Sequence, residues 1–83
     1  MRLQLKLYAT LAEYLPPQAV ANVVEIEVPA GTSPHQVLDL HRVPRERAHL
    51  LLVNGNYIPP ERRDEALLRE GDALAAWPPV AGG

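Results

Sequence analysis

The stretch Val24-Glu25-Ile26-Glu27-Val28-Pro29-Ala30-Gly31-Thr32-Ser33-Pro34-His35-Gln36 changes its period midway, and that change decides the fold. Val24, Ile26 and Val28 alternate with Glu25 and Glu27, so β-branched side chains line one face of a strand and carboxylates the other. Pro29-Ala30-Gly31 ends the strand. Ser33 then stands where an N-cap belongs, with Pro34 at the first helical position and Gln36 at N3, able to complete a capping box. The predicted helix is short, because Pro44 pushes Val43 out of the helical region. Val37, Leu38 and His41 share the face it would turn to a sheet.

Upstream, Leu3, Leu5 and Leu7 alternate with Arg2, Gln4 and Lys6, the pattern of a strand with one buried and one wet face. Leu11, Tyr14 and Leu15, ahead of Pro16-Pro17, predict a partly ordered loop or short turn packed on the core. Downstream, residues 49–53 are an apolar run followed by Asn54-Gly55, the pair that tolerates the positive φ angles of a type I′ hairpin turn. Tyr57-Ile58 begins the return strand and Pro59-Pro60 stops it. Residues 61–65 are a charge cluster, expected as a solvated loop. Leu67 and Leu68 re-enter the core, and Glu70-Gly71-Asp72 turns into a last strand from Ala73 to Trp77.

This order predicts an α+β fold in which a mixed sheet of four to five strands packs on one short helix, the ubiquitin-like layout called the β-grasp. The first and last strands are expected side by side and parallel at its centre. Residues 1–77 form the domain and 78–83 a flexible tail ending in Gly82-Gly83. In the last strand, alternation sets Leu74 and Ala76 on one face and Ala73, Ala75 and Trp77 on the other. Trp77 is then either an exposed anchor for a partner or a ring folded over the edge of the core.

Composition narrows the function. A chain of 83 residues has room for one core, since a domain of this size buries only about 60 to 65% of its unfolded surface. Apolar residues make up 47% and charged residues 22%, with a net charge of -2, values that predict a soluble globular domain and not a disordered one. Lys and Arg total 8 against 10 Asp and Glu, so there is no basic field for nucleic acid. No apolar run is long enough to span a bilayer and the N-terminus lacks a signal-peptide core, which predicts no membrane partner and a cytoplasmic location. Cysteine is absent, which excludes disulfides, thiolate metal sites and a cysteine nucleophile.

Conventional catalysis finds little support. His35, His41 and His49 have neither cysteine partners nor the spacing of a helical metal pair, so no metal is expected. Neither common glycine-rich nucleotide loop occurs, so no cofactor is expected to be bound. Asp64, Glu65, Glu70 and Asp72 read as turn and solubility residues, and Arg62, Arg63 and Arg69 either steer an acidic partner or belong to a solvated charge cluster.

The tail is different. Consecutive glycines at a chain end bury nothing and stabilise nothing. Without Cβ atoms they can enter a narrow channel and leave a nucleophile room at the terminal carbonyl. Five residues beyond Pro78 reach roughly 17 Å when extended at about 3.3 to 3.6 Å each. By itself the dipeptide is equally consistent with a frayed chain end.

Leu52-Val53-Asn54-Gly55, then Leu67 or Leu68, then Glu70-Gly71-Asp72, then Pro78-Pro79-Val80-Ala81-Gly82-Gly83 resembles the sulfur-carrier family of the molybdopterin synthase small subunit and the thiamine sulfur carrier (MoaD/ThiS). The resemblance runs the whole length and is most specific in the last third. It implies a carrier that is not itself an enzyme. An E1-like adenylyltransferase would use ATP to adenylate Gly83, and a sulfur donor would convert it to a thiocarboxylate. A synthase similar to the molybdopterin synthase large subunit or to thiazole synthase would then accept the sulfur. Gly82 would give access, Pro78, Pro79, Val80 and Ala81 would form the stalk, and Trp77 would meet the partner. The ending looks more like the molybdopterin branch, while the short helix and the absence of Phe depart from it. Two other readings use the same residues: a ubiquitin-like modifier conjugated through Gly83, and a non-catalytic β-grasp interaction module with an idle tail.

Overall fold

The computed structural model describes residues 1–80. Its strands are β1 (Arg2–Leu7), β2 (Val23–Glu27), β3 (Leu50–Val53), β4 (Asn56–Tyr57) and β5 (Ala73–Trp77), with one α-helix, α1 (Pro34–Leu40), between β2 and β3. They hydrogen-bond into a five-stranded sheet in the order β2-β1-β5-β3-β4. β1 and β5 lie parallel at its centre, as the sequence predicts, with Leu5 opposite Leu74 and Leu7 opposite Ala76. The other pairings are antiparallel. The fold is α+β, a ubiquitin-like β-grasp.

Period-2 patterning carries the sheet. Leu3, Leu5 and Leu7 are each at most 1% exposed, and Leu51, Leu74 and Ala76 are fully buried on the same face. Val37 and Leu38 of α1 close over them, together with Leu11, Val43, Ala48, Ile58 and Leu68 from the connections. Removing one such leucine side chain costs about 2–5 kcal/mol in a packed core.

Helix α1 begins as its sequence requires. Ser33 Oγ accepts from the Gln36 N–H and Gln36 Oε1 accepts from the Ser33 N–H, so both halves of the capping box are formed. Two orphan donors of the helix start are thereby satisfied, a cap worth about 1 kcal/mol. The helix stops after two turns as Arg42 adopts φ 62° and Val43 turns into the core. His41 is half-buried at its end, and loss of water lowers its pKa below the ordinary 6.5. The segment expected as a loop or short turn near residue 10 is a 3₁₀ helix, Ala9–Tyr14, with Leu11 buried.

Residues 61–65 differ from the solvated loop their charges predict. Arg62 is exposed and paired to Glu65, but Arg63 is only 2% exposed. Its guanidinium donates to the carbonyls of Ile58 at 2.8 Å, Ala48 at 2.7 Å and His49 at 3.2 Å. These carbonyls flank β3 and β4, just outside the ladder, and the planar five-donor fork of arginine fits three of them at once. His35 is drawn inward beside it. The His35 N–H donates to the Arg63 carbonyl, and the ring Nδ1 lies 2.9 Å from Asp64 Oδ1. Arg63 therefore staples the crossover to the helix and takes no part in steering a partner.

Candidate functional site

The tail leaves the domain from β5, a strand with β1 on one side and β3 on the other. Its start is locked by the two short motifs on which the sequence reading turned. Asn54 Nδ2 donates to Asp72 Oδ1 at 2.8 Å, the Ala73 N–H donates to Asn54 Oδ1 at 2.9 Å, and the Arg69 N–H donates to Asp72 Oδ2 at 2.8 Å. Asn54 at φ 51° and Gly55 at φ 83° make the hairpin turn, while Gly71 at φ 86° lets its N–H reach the Arg2 carbonyl at 2.7 Å. An L side chain at Gly71 would be strained by that φ although space is open around it. Asn54-Gly55 and Gly71-Asp72 are thus two halves of one clasp that sets where β5 begins.

At the other end of β5, Trp77 is half-buried on the open face of the sheet, opposite the helix. Leu74 and Ala76 point into the core, so the alternation expected from sequence holds. The ring is neither fully exposed nor folded over the core. It stacks on Tyr8, with centroids 4.6 Å apart and planes 12° from parallel. Tyr8 reaches it because its N–H donates to the Ala76 carbonyl at 3.1 Å, continuing the parallel ladder one step past β1. Ala9, at φ 51°, then turns the chain away. The sequence pattern does not single out Tyr8, but the alternation Gln4, Lys6, Tyr8 already sets it on the open face.

That face is polarised. Near the N-terminus of β1 it is charged, with Arg2 3.6 Å from Glu25 and 3.7 Å from Glu27. Toward the tail it becomes apolar. Leu50 lies opposite Trp77, and Leu52 lies opposite both Ala75 and Tyr57. Leu50 is 37% exposed and Tyr57 53%. Tyr8, Trp77, Leu50, Leu52 and Tyr57 therefore form an accessible patch at the root of the tail, a mixture of aromatic and aliphatic groups suited to a partner's desolvated surface.

Pro78 is half-buried, and Pro79 and Val80 are exposed, Val80 at 79%. Ala81, Gly82 and Gly83 lie outside the described residues. Among the described residues no group of three or more His, Cys, Asp or Glu could hold a metal ion, and no helix is long and apolar enough to cross a membrane. An open hollow lies on the helix side, lined by Pro29, Gly31, Thr32, Gln36, Asp39 and Leu40. Its one carboxylate is already engaged: Arg45 hydrogen-bonds Asp39 and holds its pKa below the ordinary 3.8.

Comparison with known proteins gives a family match and several structural likenesses. The model of the ThiS family matches residues 5–83. The small archaeal modifier protein SAMP1 from Haloferax volcanii superposes with a TM-score of 0.69 at 28% identity, covering 100% of both chains. A putative molybdopterin converting factor subunit 1 from Pyrococcus furiosus gives a TM-score of 0.62 at 22% identity, covering 95% of this chain and 98% of its own. A complex of subunits 1 and 2 of the molybdopterin-converting factor from Helicobacter pylori gives 0.56 at 17%, covering 100% of both chains. At those two lower identities the likeness shows the fold alone. No curated protein sequence matches the chain.

Proposed function

Because this chain belongs to the ThiS family, matched over residues 5–83, we propose that it is a sulfur carrier whose Gly83 is adenylated and then converted to a thiocarboxylate. The observation that carries the reading is the route from β5 to the terminus. A strand paired on both edges delivers Pro78-Pro79-Val80 beside an apolar patch, and the sequence beyond ends in two glycines. The proline pair restricts the stalk and so reduces the conformational entropy lost when the tail enters a partner.

A carboxylate is a poor electrophile, and this chain supplies no phosphate-binding loop. An E1-like adenylyltransferase would therefore bring ATP to the tail. The Gly83 carboxylate attacks the α-phosphorus and pyrophosphate leaves. A sulfide equivalent from a sulfur donor attacks the acyl carbon next, AMP departs with the bonding pair, and a thiocarboxylate remains. The oxyanion-stabilising donors come from the partner. Gly82 leaves the acyl carbon open to attack, while Pro78, Pro79, Val80 and Ala81 span the channel. Trp77, braced by Tyr8, would meet the partner at the channel mouth.

The acceptor would be a synthase. The ending Pro-Pro-Val-Ala-Gly-Gly favours one similar to the molybdopterin synthase large subunit. A thiazole synthase-like acceptor or another sulfur pathway uses the same chemistry.

The likeness to an archaeal modifier protein at 28% identity over both full lengths favours a second reading, in which Gly83 is joined to lysines of other proteins. Intact mass measurement after incubation with ATP, an activating enzyme and a sulfur donor separates the two. A gain of about 16 Da, sulfur for oxygen, is expected for the carrier. Lysine-linked conjugates support the modifier, and an unchanged mass with every cognate activating enzyme overturns both.

A further inference from the structure

Among the 8 basic side chains of this chain, seven are arginines and one is a lysine, Lys6. A guanidinium stays protonated in proteins and does not accept acyl groups at neutral pH, so Lys6 carries the chain's only side-chain amine nucleophile. The α-amine is occupied, since the Met1 ammonium donates to the Val28 carbonyl in a half-buried site. Lys6 itself forms no side-chain hydrogen bond or ion pair among the described residues. It lies half-buried in the middle of the open sheet face, opposite Val23 on one side and Ala75 on the other, one alternation before Tyr8.

We propose that Lys6 is an acylation site, the position at which this chain accepts the activated Gly83 of a second copy through an isopeptide bond. The proposal rests on the activated glycine of the preceding reading. The neutral ε-amine attacks the acyl carbon of the donor's adenylate or thioester. The new C–N bond replaces the C–O or C–S bond, AMP or thiolate leaves with its electron pair, and the amine proton passes to solvent. The donor is assigned as another copy because Lys6 stands opposite Ala75, two residues before the end of β5, so the strand runs past Lys6 toward Pro78. One acceptor per copy makes the products unbranched. An adduct on Lys6 also stands against the Tyr8–Trp77 patch, so an acylated copy loses the surface that presents its own tail.

The test uses the full chain carrying Gly83 as a thioester, prepared by thiolysis of an intein fusion, so the outcome does not depend on whether an adenylating enzyme acts on it. The donor also carries Trp77→Phe. Mixed with the unmodified chain, it is expected to give a covalent dimer, and trypsin, whose last site is Arg69, leaves residues 70–83 attached to Lys6. Lys6→Arg in the acceptor should remove at least nine-tenths of that product. Iodide quenching of Trp77, the acceptor's one tryptophan, should weaken in the dimer. An undiminished dimer yield with Lys6→Arg, or no dimer where free Nα-acetyl-lysine consumes the thioester, overturns the site. Unchanged quenching overturns the masking of the patch.

Discussion

Tyr8 and Trp77 lie face to face, 4.6 Å between ring centroids, where β5 gives way to the proline stalk. Tyr8 follows the end of β1 and Trp77 is the last residue of β5, so their stack joins the first turn of the chain to the root of its tail. An aromatic pair of this geometry contributes about 0.5–1.5 kcal/mol beyond the area it buries. A double-mutant cycle of Tyr8→Ala and Trp77→Ala in urea should return a coupling of that size. Each single variant should also need a higher carrier concentration for half-maximal adenylation, with little change at saturation. Equal loss at saturating carrier would show that the stack does not position the tail.

Gly82 and Gly83 have no side chain that a core could bury. Deleting Gly83, or making Gly82→Val, is expected to abolish acyl-adenylate formation, read by intact mass, while the melting temperature stays within about 1 °C. A fall of several degrees would make the tail part of the fold, since a change of about 1 kcal/mol moves Tm by roughly 4–8 °C in a domain this small.

Arg63 and Arg62 should behave as opposites. Arg63→Ala strands three carbonyls, each costing about 1–3 kcal/mol when left without a donor. Arg63→Lys should recover little, because a single ammonium cannot reproduce the planar fork. Arg62→Ala, which removes an exposed pair with Glu65, should change stability by less than about 0.5 kcal/mol. Chemical denaturation of the three variants measures this, and similar losses at both positions would refute the staple.

His41 should make stability depend on pH. Its folded pKa lies below 6.5 because burial disfavours the imidazolium. The unfolded chain then binds the proton more readily, so the contribution is complete above 6.5 and shrinks as the pH falls through 6.5 toward the folded value. Asp39, held below 3.8 by Arg45, acts in the same direction at lower pH, its contribution fading as the solution falls through 3.8. His41→Gln should flatten the slope of unfolding free energy just below neutrality and leave the acid limb, where Asp39 titrates, unchanged.

The elements and their order were legible because each is written in local chemistry: leucines two apart, Ser33-Pro34 with Gln36, Asn54-Gly55. The glycine and acid motifs were legible as signals but not as a mechanism. Nothing in the string says that Asn54 and Asp72 touch, since that contact exists only once β3 and β5 are paired. Arg63 misled for the opposite reason. A run of charges reads as solvated, and only the assembled strand ends reveal three carbonyls awaiting one guanidinium. Tyr8 was hidden by its modest company, a polar tip one alternation beyond a lysine, until the parallel register brought Trp77 to its face. Of the tail, the sequence shows the residues and the structure shows the root.

The parallel pairing of β1 with β5 has a mechanical side. Residues Met1 and Val80 sit at opposite ends of neighbouring strands that run the same way. A pull on the stalk against the N-terminus loads that ladder in shear, so its hydrogen bonds bear the force together instead of opening one after another. β3, on the far side of β5, shares the load. Single-molecule extension between Met1 and Val80 should therefore need more force than extension between Met1 and Tyr57, which peels β4 from the sheet edge first. A chain built this way can have its tail tugged by a partner without losing its shape.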